Sequence, residues 1–185
     1  VTDTTPRRHY PGKASAAHLL GSIGEIDSKK LALDITPKYR AGDVVGKSGL
    51  ESKHESHLRG KVGGRNIVVD VAGREIEVID EVQPIPGGRI VLTLDLDLQR
   101  SAEEAFRSVP GRRGGLVALD PRNGEVLALV SEPAYDPNEF AGGIDSETWQ
   151  GLISDESRPL RNRAVSGQYP PGSTYKAVVG VAGLS

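Results

Sequence analysis

The chain has 185 residues, enough for one ordinary domain or two small ones, and its 37% apolar and 26% charged residues are the make-up of a globular protein that buries a core. A formal charge of −2 leaves no electrostatic footprint for nucleic acid, and one tryptophan, two phenylalanines and five tyrosines offer little for base stacking. Cysteine is absent, which excludes a disulfide framework and thiolate chemistry without deciding the compartment, and no apolar run is long enough for a signal peptide or a membrane span.

In chain order, residues 1–13 are polar and rich in Pro, Arg and Thr, which predicts a loose leading segment with little function. Residues 14–63 mix short apolar stretches with turn signals, and Gly49 to His57 predicts a short helix ending near Gly60. From Arg65 to Asp80 apolar and polar residues alternate on either side of Ala72-Gly73, the pattern of a β-hairpin with a two-residue turn. Pro84, Pro86, Gly87 and Gly88 then break the pattern and predict a domain junction, dividing the chain into residues 1–85 and 86–185.

Beyond the junction, Arg89 to Thr93 predicts a strand, followed by a helix with Leu98, Ala102, Ala105 and Phe106 on one apolar stripe that ends before Pro110-Gly111. Leu116 to Leu119 and Val126 to Val130 predict a second hairpin around Asp120-Pro121-Arg122-Asn123-Gly124. Glu132 to Tyr169 reads as a long, mostly irregular stretch with one short helix around Trp149 that Ser146 would cap, and extended loops inside compact domains are often functional.

The most informative residues come next. In Pro170-Pro171-Gly172-Ser173-Thr174-Tyr175-Lys176, followed by Ala177-Val178-Val179-Gly180-Val181-Ala182, a serine opens an apolar helix and a lysine stands three residues on. Helical residues three apart share a face, so the Ser173 hydroxyl and the Lys176 amine are predicted to come within hydrogen-bond reach. A hydroxyl becomes a nucleophile when a neutral amine takes its proton, and burial of the lysine among apolar neighbours would favour that neutral form. The two prolines are expected to hold the incoming chain extended, Gly172 to permit close approach of substrate or backbone, and the helix to lie buried with its N–H groups facing a developing oxyanion. The plainer reading is that a serine before an apolar run is only a helix cap.

Three other patterns compete. Ala41-Gly42-Asp43-Val44-Val45-Gly46-Lys47-Ser48 fits a relaxed phosphate-binding loop, with Ile90-Val91-Leu92-Thr93-Leu94-Asp95 imitating a strand that ends in an acidic metal ligand. Against it, no buried strand runs straight into the loop, and Asp43 would repel phosphate. His54 and His57 are three apart, whereas helical zinc proteases need four, so they read as solvated helix residues. Asp155-Glu156-Ser157-Arg158 reads as an exposed loop.

With these motifs the sequence resembles the penicillin-binding proteins, in which Ser-x-x-Lys accompanies Ser-x-Asn and Lys-Thr-Gly. Thr93-Leu94-Asp95-Leu96-Asp97-Leu98-Gln99 is similar to the opening of their transpeptidase domain, and residues 115–131, around Asp120-Pro121-Arg122-Asn123-Gly124, to its first hairpin. Asp136-Pro137-Asn138 with Phe140, and Asn162-Arg163-Ala164, match segments that lead to the nucleophile. Gly46-Lys47-Ser48-Gly49-Leu50-Glu51 and Leu58-Arg59-Gly60 resemble the non-catalytic domain of the class B members, and the Pro-Pro-Gly-Ser-Thr form leans toward the elongation type over the division type.

The resemblance implies an α+β fold: a β-rich pedestal over 1–85, then over 86–185 the first part of a transpeptidase domain with an antiparallel sheet flanked by helices. It implies a peptidoglycan D,D-transpeptidase with Ser173 as nucleophile, Lys176 as general base, β-lactams acylating the same serine, and no cofactor or metal. Implied partners are stem peptides, a SEDS-type glycan polymerase and scaffold proteins of the elongation complex, at the outer face of the bacterial cytoplasmic membrane behind an N-terminal anchor outside this chain. Neither Ser-x-Asn nor Lys-Thr-Gly follows the serine before Ser185. The chain alone is therefore expected to have little or no cross-linking activity, and its last helix to expose apolar surface unless another chain or a further segment covers it. The alternative function is a non-catalytic module, residues 1–85 docking polymerase and scaffold.

Overall fold

The computed structural model describes residues 8–32 and 39–184. The first part of the chain folds as small pieces around a crossing. Helix α1 (Ala17–Leu20) leads to strand β1 (Ile23–Glu25), helix α2 (Ser28–Ala32) follows, and strand β2 (Val44–Gly46) pairs antiparallel with β1, Ile23 opposite Gly46. The predicted helix appears as two short ones, α3 (Gly49–Lys53) and α4 (Glu55–Leu58). Gly21 at φ +86° and Gly49 at φ +56° face each other where the chain crosses itself, and a Cβ on Gly21 would lie 1.9 Å from the Ser48 carbonyl oxygen. Only glycine meets both demands, a left-handed backbone and no side chain.

Residues 1–7 of the predicted loose segment lie outside the described residues, and the remainder is anchored. Tyr10 is buried, its hydroxyl donates to Glu51 Oε1 at 3.1 Å, and Arg8 forms an ion pair with Glu51 at 2.8 Å. Burial, and then the Glu51 carboxylate, hold the Tyr10 phenol well above its ordinary range.

Strands β3 (Gly64–Val69) and β4 (Glu75–Val82) form the predicted hairpin, but its turn is longer than two residues. Asp70 Oδ1 accepts from the Ala72 and Arg74 amides, each at 2.9 Å, so the turn takes in Asp70 to Arg74. Irregularities at Asn66/Ile67 and Val68/Val69 interrupt the alternation, and every residue of both strands is exposed. A bridge between Lys61 and Ile85 closes the base.

The expected helix is present as α5 (Leu96–Arg107), and the Asp95 carboxylate caps it, accepting from the Asp97 and Leu98 amides at 3.0 Å. Its inward face is not the predicted one. The buried residues are Gln99 and Glu103, while Leu98 is 41% exposed. The hairpin of β5 (Gly114–Leu119) and β6 (Val126–Glu132) is present, with both strands longer than predicted at the open end. Arg89 to Thr93 does not form a strand. The open edge of β6 is met instead by the Thr93 hydroxyl on the Val126 carbonyl (2.7 Å), the Asp95 amide on the Leu127 carbonyl (2.9 Å) and the Gln99 side chain, which accepts from the Leu129 amide (2.8 Å) and donates to its carbonyl (3.0 Å). A fully buried glutamine thus does the hydrogen bonding of a strand.

The long stretch after β6 holds three helices: α6 (Asn138–Ala141), α7 (Ser146–Ser154) and α8 (Arg163–Ser166). Asp145, not Ser146, caps α7, taking the Thr148 amide at 2.9 Å and its hydroxyl at 2.7 Å. Helix α9 (Lys176–Leu184) ends the described residues. The buried apolar residues, among them Tyr10, Ala17, Ile23, Val45, Ala128, Val130 and Tyr135, lie between the first sixty residues and β6. Three polar links cross the same junction: Tyr10 and Asn138 exchange two hydrogen bonds at 2.9 Å, His18 Nε2 meets the Pro159 carbonyl at 2.7 Å, and Glu103 Oε1 accepts from Ser15 Oγ (3.1 Å), the Ala16 amide (2.9 Å) and Gln99 (2.7 Å).

Candidate active site

The path to Ser173 is pinned before it arrives. Ser131 Oγ, on buried β6, accepts from the Arg163 amide at 2.9 Å and donates to the Arg161 carbonyl at 3.1 Å. The Arg163 guanidinium is 8% exposed and donates into a ring of carbonyls, those of Arg158 (3.0 Å), Arg161 (3.4 Å) and Ser157. The charged run 155–158, read as a plain exposed loop, is therefore folded around a cation from the next helix. Asn162 caps that helix at the Val165 amide (3.2 Å). Nothing in the hydropathy pattern announces an inward-pointing arginine, although the turn-forming residues that precede Asn162 free the carbonyls it uses.

Gly172 to Tyr175 form a 3-10 turn that runs straight into α9. Pro171, at φ −69° and ψ −17°, is already helical rather than extended, because the proline ring holds the φ that a first helical position needs. Gly172 has φ +56°, and a Cβ there would meet nothing within 4 Å, so the glycine answers a left-handed backbone and not a close approach. The Thr174 hydroxyl and amide both return to the Pro171 carbonyl. The Lys176 amide donates to the Ser173 carbonyl. Residues three apart in such a turn share an edge, so Ser173 and Lys176 stand on the same side of it. No hydrogen bond joins the hydroxyl and the amine.

Burial is where expectation and structure part. Ser173, Lys176 and all of α9 are exposed, with Val178 at 58% and Val181 at 71%. Apart from the 3-10 turn, no described element packs on α9 to any extent. A helix apolar on every side needs neighbours on every side, and α9 leaves its valines largely exposed.

The competing motifs resolve locally. The Gly46 amide donates to Glu55 Oε2 at 2.7 Å, so the backbone donor that a phosphate-binding loop would aim at its ligand is spent within the fold. His57 Nε2 is 3.3 Å from the Arg89 carbonyl, and no cluster of three His, Asp or Glu placed to hold a metal occurs among the described residues.

A pedestal-like first half tied to an antiparallel hairpin, and a Ser-x-x-Lys turn opening an apolar helix, define a class. The family model for the penicillin-binding protein dimerisation domain matches residues 1–92 and that for the penicillin-binding protein transpeptidase domain matches residues 114–185, and the chain belongs to the penicillin-binding proteins. Within that family it is similar to the peptidoglycan D,D-transpeptidase MrdA of Escherichia coli K12, 42% identical over 183 residues, covering 97% of this chain and 28% of the relative, and to that of Salmonella typhimurium, 40% identical with 96% and 29% covered. Among solved structures it is similar to PBP2 of Helicobacter pylori in complex with MreC (TM-score 0.78, 36% identity, 96% of this chain and 32% of that one) and to PBP2 of Pseudomonas aeruginosa with WCK 5153 (TM-score 0.74, 40% identity, 98% and 36%). The chain spans less than a third of the length of these curated relatives.

Proposed function

We propose that the full protein to which this sequence belongs is a peptidoglycan D,D-transpeptidase of cell elongation, with Ser173 as its nucleophile and Lys176 as its base. The observation that carries the reading is the i to i+3 bond from the Lys176 amide to the Ser173 carbonyl, which sets the two residues on one edge of the turn at the head of an apolar helix within the transpeptidase match. Ser173 Oγ attacks the carbonyl carbon between two terminal D-alanines, and its proton passes to Lys176. The C–N bond breaks, the last D-alanine leaves with that proton as an amine, and an ester on Ser173 remains. The amine of a neighbouring stem peptide then attacks the ester, forming the cross-link and restoring the hydroxyl. Ser173 stands in the first turn, where backbone N–H groups lack helical acceptors, so its own amide serves as one oxyanion donor. No metal or organic cofactor takes part.

We place the division between pedestal and transpeptidase portion at residues 85 and 86, with the Glu103, Asn138 and His18 links spanning it. Anchoring at the outer face of the cytoplasmic membrane, by a segment outside this sequence, follows from the same reading; no helix among the described residues is long and apolar enough to cross a membrane. In the full-length protein, Ser173→Ala is expected to abolish covalent labelling by a fluorescent penicillin, and the reading fails if labelling survives. The 185-residue chain alone is expected to show no rapid stoichiometric labelling.

A second reading, a docking module for a glycan polymerase and scaffold proteins such as MreC, is favoured by the β3–β4 hairpin, which carries Ile76 at 66% and Ile79 at 70% exposure. Introducing Asp at both positions in the full-length protein separates the two roles. Loss of partner retention with penicillin labelling intact supports docking through this hairpin, and unchanged retention argues against it.

A further inference from the structure

A groove of about 560 Å³ opens between the two matched regions, and neither Ser173 nor Lys176 lines it. One wall is aromatic. Tyr135, Phe140 and Trp149 form a chain of edge-to-face contacts, with ring centroids 5.5 and 6.4 Å apart, and His18 buttresses Tyr135 from behind at 5.2 Å. Such contacts hold the rings in place before any ligand arrives. The opposite wall comes from β1 and the loop after β2, with Gly24 leaving space beside the stem of Lys47. The volume falls within the range of about 300–1,000 Å³ typical of small-molecule sites, which favour domain junctions.

The polar groups of this groove are one ammonium, the hydroxyls of Ser22, Ser48, Ser146 and Tyr135, and the Trp149 indole N–H. Lys47 is the only charged residue among those lining it. Its ammonium touches Asp27 at 3.4 Å, but both side chains are substantially exposed (35% and 58%), so the pair is weak and water-screened. Beside it, Ser22 Oγ and Ser48 Oγ lie 3.2 Å apart, and Ser48 Oγ also accepts the Ser22 amide at 3.0 Å. Two hydroxyl hydrogens share one mutual bond, so whichever serine donates, the other hydroxyl hydrogen has no acceptor among the described residues. A cation and a spare O–H donor next to an aromatic wall ask for an anionic oxygen at one end of an apolar body.

We propose that this groove is a binding site for a drug-sized apolar monocarboxylate, its carboxylate on Lys47 and the Ser22–Ser48 pair and its body against Phe140 and Trp149. The site bridges the portions on either side of the junction, so occupancy fixes their relative position. It is independent of the acyl-transfer reading and survives the failure of that reading.

Trp149 is the only tryptophan in the chain and lines the groove, which makes it a built-in reporter. Titration of the intact chain with dansyl-phenylalanine, read by energy transfer from Trp149, is expected to saturate at one equivalent, with the free acid bound about fivefold to tenfold more tightly than its methyl ester. Lys47→Gln is expected to bring the acid down to the level of the ester, and Lys53→Gln, on the surface of α3, to change nothing. Gly24→Leu, which fills the groove, is expected to weaken acid and ester alike, with circular dichroism confirming that the variants are folded. Absence of saturable transfer, equal binding of acid and ester, an acid preference that persists in Lys47→Gln, or undiminished binding to folded Gly24→Leu would each overturn the proposal.

Discussion

Helices α5 and α9 invert the usual relation between composition and burial. Helix α5 is charged along much of its length, yet it places Gln99 and Glu103 among the most enclosed side chains of the molecule. Helix α9 carries Val178, Val179 and Val181 and is bare. The difference lies in what stands opposite. Helix α5 faces a strand edge and a tight turn, both rich in unpaired backbone groups, and polar side chains are what such a surface needs. Helix α9 leaves Val178, Val179 and Val181 open to solvent. Enclosure belongs to a pair of surfaces, and a single segment's hydropathy describes only one of them.

The comparison can be broken first at Glu103. Glu103→Ala would strand the Ala16 amide, the Ser15 hydroxyl and Gln99 at once, and is expected to cost about 3 kcal/mol in urea unfolding. A loss close to zero would mean that the polar face of α5 is dispensable. A smaller effect tests the same junction by pH. Burial holds the His18 imidazole below its ordinary value of 6.5, so the unfolded chain takes up the proton first. Stability is therefore complete above pH 6.5 and declines as the pH falls below it, and His18→Leu should flatten the dependence of the melting temperature between about pH 6.5 and 5. The smallest effect belongs to α9. Val181→Ser is expected to shift the stability of this chain by less than about 0.5 kcal/mol, as for any exposed site. A large loss there would show that α9 is covered after all.

Much of the frame was legible in the residues. Both hairpins, the presence of α5 and the Ser-x-x-Lys turn are local patterns, written in alternation and spacing, and they stand in the structure. What escaped depends on which groups the folded chain brings opposite one another, near or distant in sequence. The Arg89 to Thr93 run has strand-like residues, but its place along β6 is taken by a hydroxyl, one amide and a glutamine. The stripe through Leu98 and Ala105 was chosen by apolar count, whereas the tight turn around Ala16 and the edge at Leu129 rotate the helix to its polar side. Asp145 outcompetes Ser146 as a cap because a carboxylate one residue earlier reaches both the amide and the hydroxyl of Thr148. Arg163 could not be foreseen, since its acceptors become a ring only once the loop has folded. At the candidate site the turn was foreseen and its exposure was not, because enclosure of α9 was inferred from α9 alone.

Gln99 has one further consequence. By occupying the Leu129 amide and carbonyl it seals that margin of the two-stranded sheet against lateral growth. Any additional strand that enlarges the sheet must enter beside β5, so the direction in which this architecture can widen is settled by a single amide side chain.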